Sequence, residues 1–238
     1  MTHEHILSAF DRDLESIQAA VMKMGGVVEE ALRNAVTALA TRDVELAERV
    51  RAGDRAVDEM DLAVKSDAAR ILALRAPAAS DLRAILAVIE ISSHLERCGD
   101  YAKNIAKRTR VLAGMSEVGG AVAALRRMAL FVEQMLSDAL DAYIRKDAPR
   151  AEEIVARDAE ADQMYNVLFR SLLTHMMEDP RNITACMHLH FIAKNIERIG
   201  DHATGIAEQV IYLVTGALPE DDRPKEDRTS GELRESED

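Results

Sequence analysis

Glu96-Arg97-Cys98-Gly99-Asp100-Tyr101-Ala102-Lys103-Asn104-Ile105-Ala106 returns as Glu197-Arg198-Ile199-Gly200-Asp201-His202-Ala203-Thr204-Gly205-Ile206-Ala207. A chain that repeats itself in this way is built from copies of one supersecondary unit, which narrows the architecture before any propensity is weighed. The repeated segment also keeps two locally unfavourable choices. A glycine inside a helix costs about 1 kcal/mol against alanine, and two carboxylates four residues apart on one helix face repel by a few tenths of a kcal/mol. Both recur at the same relative place, so something other than helix stability retains them.

The repeat extends upstream. Met24–Met60 aligns with Met128–Met164, setting Ala47-Glu48-Arg49-Val50 against Ala151-Glu152-Glu153-Ile154, and Asp54 and Asp58 against Asp158 and Asp162. The second copy is shorter at one turn, where Arg75-Ala76-Pro77-Ala78-Ala79-Ser80 gives way to Glu178-Asp179-Pro180. Within the first copy, Ile6, Phe10, Leu14, Ile17, Val21, Val28, Leu32, Val36 and Leu39 fall at helical spacing. Asp43 suits the N-cap of a second helix running to about Leu74. Pro77 interrupts the pattern, and Ser80 can cap a third helix carrying Leu82, Ile85, Leu86, Ile89 and the motif. In the second copy Asp147 with Pro149, and Asp179 with Pro180, mark the corresponding starts. No alternating segment bounded by turn residues occurs, so strands are not expected. The expectation is an all-α chain of two tandem, pseudo-symmetric three-helix bundles with six long helices, at residues 5–113 and 117–216. Residues 219–238, with nine acidic and four basic side chains, read as a disordered acidic tail.

Hydrophobic residues make up 48% of the chain, but aromatics only 3% and Trp none, so the core must come from Ala, Leu, Val, Ile and Met. The methionines Met22, Met24, Met60, Met128, Met135 and Met164 fall at apolar helical positions and read as core filling. A net charge of −12 argues against binding nucleic acid by phosphate neutralisation and suits cations or basic partner surfaces. Cys98 and Cys186 form no CxxC pattern, which fits a reduced, cytoplasmic compartment. No basic, apolar leader pattern and no stretch of about 18 apolar residues is found, so work at a membrane would go through partners.

The acids carry the chemistry. Asp54/Asp58, Glu96/Asp100, Asp158/Asp162 and Glu197/Asp201 each have i, i+4 spacing and project from one helix face. Where second and third helices pack side by side, two such pairs can converge. Four carboxylates at close range repel one another strongly without a cation, and oxygen-only ligands suit magnesium, manganese, calcium, or an oxygen-ligated iron or zinc. A solvated acidic face is the competing explanation for any single pair; its recurrence at repeat-related positions favours metal. For Gly99 and Gly200, close helix packing is an explanation that coexists with a metal site. No phosphate-cradling loop is present, since Met24-Gly25-Gly26 lacks the following Lys-Ser/Thr. The histidines His94, His175, His188, His190 and His202 are not repeated; Glu90/His94 lacks the Glu-x-x-His spacing of di-iron bundles, and Asn195 stands opposite His94. His188 and His190 point to different sides of a helix and read as surface or satisfied core residues.

Glu-Arg-x-Gly-Asp-x-Ala-x-x-Ile-Ala in two copies, Pro77-Ala78-Ala79-Ser80-Asp81-Leu82-Arg83 leading into the first, and the Asp-x-x-x-Asp pairs together resemble the PhoU family of phosphate-transport regulators, over about residues 5–216. That resemblance implies metal sites on two three-helix bundles, liganded by Asp54, Asp58, Glu96, Asp100, Asp158, Asp162, Glu197 and Asp201. It implies a non-enzymatic negative regulator of the phosphate-starvation response and modulator of phosphate uptake. Its partners would be the phosphate ABC transporter ATPase and a phosphate-sensing histidine kinase. A homodimer is expected, because long bundles leave extra apolar faces. The alternative from another class is a carboxylate-bridged metal-dependent enzyme, an oxidase or phosphatase. Two departures predict unequal sites: Asn182-Ile183-Thr184 stands opposite Asp81-Leu82-Arg83, and Gly205 opposite Asn104.

Overall fold

The computed structural model describes residues 2–75, 77 and 79–219; the expected acidic tail lies outside them save for Pro219. Six α-helices account for nearly all of the described chain: α1 (Thr2–Thr41), α2 (Val44–Arg75), α3 (Ala79–Leu112), α4 (Ala121–Arg145), α5 (Ala148–Glu178) and α6 (Ile183–Thr215). Among the described residues there is no strand.

The helix ends follow local chemistry. Asp43 Oδ1 accepts the Leu46 N–H at 2.8 Å and starts α2. Asp147 Oδ1 accepts the Arg150 N–H at 3.0 Å and starts α5, with Pro149 in the first turn where it has no amide to waste. Two expected starts are displaced. α3 begins at Ala79, so Ser80 lies within its first turn and turns its hydroxyl to Asp81 Oδ1 at 3.5 Å. Asp179 caps a 3-10 turn, Pro180–Asn182, and α6 follows at Ile183. Gly216 ends α6 in the left-handed region (φ 80°), a conformation glycine adopts without a Cβ penalty.

The two bundles share one continuous core. α1 and α3 pack on α2, α4 and α6 pack on α5, and the halves join along α1–α4 and α3–α6. Along the second seam Arg83 lies beside Gly216, His94 beside His202 and Gly205, Tyr101 beside Arg198, and Arg108 beside His188. Numbers rise on α3 as they fall on α6, so the two helices run antiparallel and their pseudo-twofold relation crosses the seam within the repeated motif. The α1–α4 seam behaves alike, with Gly25 against Leu140 and Arg33 Nε bonded to Glu133 at 2.9 Å. Met24, Met128 and Met135 are fully buried, as their apolar spacing predicted, while Met22, Met60 and Met164 pack at the core's margin. Each large aliphatic side chain buried there contributes about 1.5–3 kcal/mol relative to exposure. Among the described residues no helix is long and apolar enough to cross a membrane.

Candidate functional site

Both acid sets form where α2 meets α3 and where α5 meets α6. The motif glycines help to seat these pairs. A Cβ on Gly99 would lie 3.1 Å from Val57 Cγ1 of α2, so α3 approaches α2 more closely there than an alanine comfortably allows. A Cβ on Gly200 would stand 3.5 Å from Val132 Cγ2 and 3.7 Å from Ala161 Cβ, which is ordinary contact. Close packing therefore accounts for Gly99 but does not demand Gly200.

In the first set, Asp54 is buried while Asp58, Glu96 and Asp100 are half-buried. Lys103 Nζ donates to Asp54 Oδ2 at 2.5 Å and to Asp100 Oδ1 at 2.7 Å, tying α3 to α2. Asp54 Oδ1 is buried without a hydrogen-bond partner. Burial raises the Lys103 environment's cost for charge, yet the bonds to Asp100 and Asp54 outweigh it and push the lysine pKa up. Asp58 is raised by burial first and then by the Asp54 carboxylate; Glu96 by burial and then Asp100. These mutual effects place the four predicted acids of this set in one electrostatic cluster.

The second set is Asp158, Asp162, Glu197 and Asp201. Asp162 and Glu197 are buried, Asp158 is half-buried and Asp201 is exposed. Lys194 Nζ donates to Glu197 Oε1 at 2.6 Å. Thr204, which stands where Lys103 does in the first copy, donates to Asp158 Oδ1 at 3.2 Å. Crowding by protein atoms, then the charges of Glu197 and Asp158, push the Asp201 carboxyl up to about 7. Since Asp201 reaches solvent, this shift reflects the packed flank around it and the three neighbouring acids rather than enclosure in the core.

Each cluster thus holds four predicted acids and one lysine, but the lysine enters from opposite ends of the motif. Among the described residues, no three or more His, Cys, Asp or Glu side chains are arranged to hold a metal ion as they stand. The donor set nonetheless fits a hard cation: oxygen-only, strongly acidic, with an orphaned buried oxygen on Asp54 and three raised carboxyls whose repulsion a cation relieves.

Sequence reasoning missed Asp61. It is buried at 6% exposure and accepts Ser92 Oγ at 2.5 Å and Lys65 Nζ at 2.7 Å. Its place one turn beyond Asp58 on the same helix face was a usable signal, but Tyr165 occupies the corresponding position, so a search by repetition passes over it. The histidines also hold a surprise of placement. His94 and His202 meet across the α3–α6 seam with Nδ1 atoms 2.9 Å apart, and Tyr101 stacks on His202 at 5.6 Å. Burial lowers both, His202 to about 4 with His94 as the next cause. His94 occupies the space a Cβ on Gly205 would need. The departures from the repeat are therefore paired: His94 against Gly205 on one side of the pseudo-twofold, Asn195 and Asn104 in the reciprocal positions. His188 turns to Arg108 of α3, whereas His190 lies among the rings of Tyr165, Phe169 and Phe191. Arg83 packs its guanidinium on Gly216 at the C-terminal end of α6, where a cation complements the helix dipole.

Compared with known proteins, residues 21–109 and 125–210 each match the PhoU domain family. The chain is 45% identical over 230 residues to a Rhizobium meliloti (strain 1021) protein named phosphate-specific transport system accessory protein PhoU homolog, covering 97% of both chains. It is likewise 45% identical to the Caulobacter vibrioides (strain NA1000 / CB15N) protein of the same name, over 94% of this chain and 97% of that one. The crystal structure of PhoU from Pseudomonas aeruginosa superposes with a TM-score of 0.85 at 39% identity, covering 87% of this chain and all of the other. That of the phosphate transport system regulatory protein PhoU from Streptococcus pneumoniae superposes at 0.81 and 32% identity, over 88% and 99%.

Proposed function

Because the chain belongs to the PhoU family, we propose that it is a cytoplasmic, non-enzymatic accessory protein of a phosphate transport system. It acts as a negative regulator of the phosphate-starvation response and modulates phosphate uptake, bridging the phosphate ABC transporter ATPase and the sensor histidine kinase, with a homodimer as the working form. The observation that carries the reading is the family match over both halves of the chain, with an acid set in each half.

Metal belongs to the same proposal. Asp54, Asp58, Glu96 and Asp100 would hold an ion in the first bundle, and Asp158, Asp162, Glu197 and Asp201 in the second, the candidates being iron, zinc, manganese or magnesium. A bound cation would add positive charge between α2 and α3 or α5 and α6, beside that of Lys103 and Arg97 in the first set and Lys194 in the second. Metal binding would then set how firmly the outer helices are held, and so the shape of the docking surfaces. The enzyme alternative is not favoured. The histidines a carboxylate-bridged oxidase would recruit, His94 and His202, are bonded to each other across the α3–α6 seam.

Deleting the gene should derepress phosphate-starvation transcripts in phosphate-replete medium; unchanged transcripts would remove the regulatory reading and leave the family and fold. Elemental analysis of reconstituted wild type and the Glu96→Ala/Asp100→Ala variant addresses the metal. Equal, negligible metal in both would show the acid sets to be charge clusters only.

A further inference from the structure

Outside the acid sets, the charge least balanced by its surroundings is Arg108 on α3. It is half-buried, its guanidinium lies 4.2 Å over the Phe191 ring, and Nη1 stands 3.3 Å from His188 Nδ1. Its Nε is buried without a hydrogen-bond partner, and among the described residues no carboxylate pairs with it, so burial lowers its pKa unopposed. A cation taken from water without a counter-charge is costly. Around it the outer face of α3 and α6 is apolar, with Leu82, Leu86, Val111, Ile183, Met187 and Phe191 all left exposed. The repeat sets Ile183 opposite Leu82 and Met187 opposite Leu86, so the exposure recurs in both copies. Grouped apolar surface of this kind marks an interaction site, and the bare arginine asks that the partner bring an acid.

The register of the seam says where that acid can come from. Arg83 beside Gly216, His94 beside Gly205, Tyr101 beside Arg198 and Arg108 beside Phe191 keep one register, in which Gly99 is level with Gly200. Glu90, exposed on α3, stands nine residues before Gly99 and Arg108 nine after it, about 13 Å to either side at 1.5 Å per residue. Neither charge is repeated, since Phe191 stands opposite Glu90 and Gln209 opposite Arg108. A second copy laid face to face, with a twofold axis at Gly99 and across the helices, therefore sets Glu90 of each copy over Arg108 of the other. The same operation brings Leu86 to Val111 and Met187 to Tyr212, and sets Arg97 level with the ring of Tyr101 rather than with another arginine. A twofold along the helices would instead carry Glu90 over Gln209 and Arg108 over Phe191, leaving both charges unpaired. From Leu82 to Val111 α3 runs about 43 Å, and two helices side by side are about 20 Å wide. The face thus offers on the order of 800 Å² per copy, the size of a standard interface.

We propose that two copies of this chain dimerise through the outer α3–α6 face, α3 antiparallel on α3 and α6 on α6, with Glu90 of each copy paired to Arg108 of the other. The interface is isologous, so the ion pair forms twice and the assembly closes at two copies. Each half-buried arginine gains the counter-charge its own chain withholds, and the exposed apolar side chains of the two helices cover one another. The inference gives the homodimer proposed above its surface, and it rests on that reading.

Sedimentation velocity of the full chain across the micromolar range tests this, with far-UV circular dichroism to confirm that each variant is folded. Wild type should dimerise, and Glu90→Arg and Arg108→Glu should each raise the dimer Kd at least tenfold by setting like charges together. Mixing the two single variants should restore dimers, because one then carries two cations on this face and the other two acids. The double variant Glu90→Arg/Arg108→Glu should also dimerise. Its two residues lie 18 positions apart on one helix, too far to pair within a chain, so recovery can arise only between copies. Glu90 is exposed, so Glu90→Arg keeps the fold whatever Arg108→Glu does. A dimer that Glu90→Arg leaves undiminished, or a mixture and double variant no better than the single variants, would overturn this surface and leave the homodimer reading standing. A wild type that stays monomeric throughout would overturn both.

Discussion

Substituting alanine at the two motif glycines should move stability in opposite directions. Both substitutions gain about 1 kcal/mol of helix propensity. At Gly200 the new methyl meets Val132 and Ala161 at 3.5 and 3.7 Å and adds up to about 0.8 kcal/mol of burial. Gly200→Ala should therefore stabilise by about 1–2 kcal/mol. At Gly99 the methyl arrives 3.1 Å from Val57 Cγ1. Val57 is 1% exposed and β-branched, so it has little room to rotate away. Overpacking of this kind costs about 1–3 kcal/mol, which leaves Gly99→Ala destabilised by about 0–2 kcal/mol. For a chain of this size the two variants should lie on opposite sides of the wild-type Tm, at about 2–4 °C per kcal/mol. Urea and thermal melts of both variants measure this. In a Val57→Ala background, Gly99→Ala should recover its propensity gain, because the obstructing methyl is gone. If Gly99→Ala is as stable as Gly200→Ala, or if Val57→Ala leaves its effect unchanged, the claim that Gly99 sets the α2–α3 approach is wrong.

Lys103→Met removes the cation between Asp54 and Asp100; with Asp54 buried and the lysine a third exposed, urea unfolding should show a loss of about 1–3 kcal/mol, partly restored by millimolar manganese. Asp201, with a folded pKa of about 7 against an ordinary value near ~3.9, binds a proton in the fold that the unfolded chain has lost. Its contribution to stability is therefore full below about pH 4 and is lost as pH rises through 7, so Asp201→Asn should raise Tm at pH 8 and leave it unchanged at pH 4. Asp147→Ala should cost about 1 kcal/mol in a denaturant melt by freeing the Arg150 amide at the start of α5, with no change in metal content.

Much of the site was legible because it is repeated. Acids at i, i+4 on two helices announce a shared face, and the structure brings each set of four within electrostatic reach of one another without arranging three of them as a metal site among the described residues. Asp61 escaped because Tyr165 stands opposite it, and Lys103 and Lys194 escaped because neither recurs at the other's place. A residue used in one copy alone carries no signal in a comparison between copies. Ser80 as a cap failed for a local reason: α3 begins at Ala79, one residue earlier, which puts the serine inside the first turn.

By itself the sequence determined six amphipathic helices, their caps at Asp43 and Asp147, the twofold internal repetition and the two acidic pairs per copy, since these depend on periodicity and neighbours along the chain. Only the tertiary structure decided how the copies face each other. The antiparallel seams bring His94 onto Gly205 and Arg83 onto Gly216, contacts between residues more than a hundred positions apart. It alone distinguished Gly99, held against Val57, from Gly200, which has room for a methyl. It alone seated Arg157 over the Phe131 ring and against Asp138, while its counterpart Gly53 has open space beside it. Those differences arise from packing between helices, and packing depends on which surfaces meet, a property that no spacing along one strand of sequence encodes.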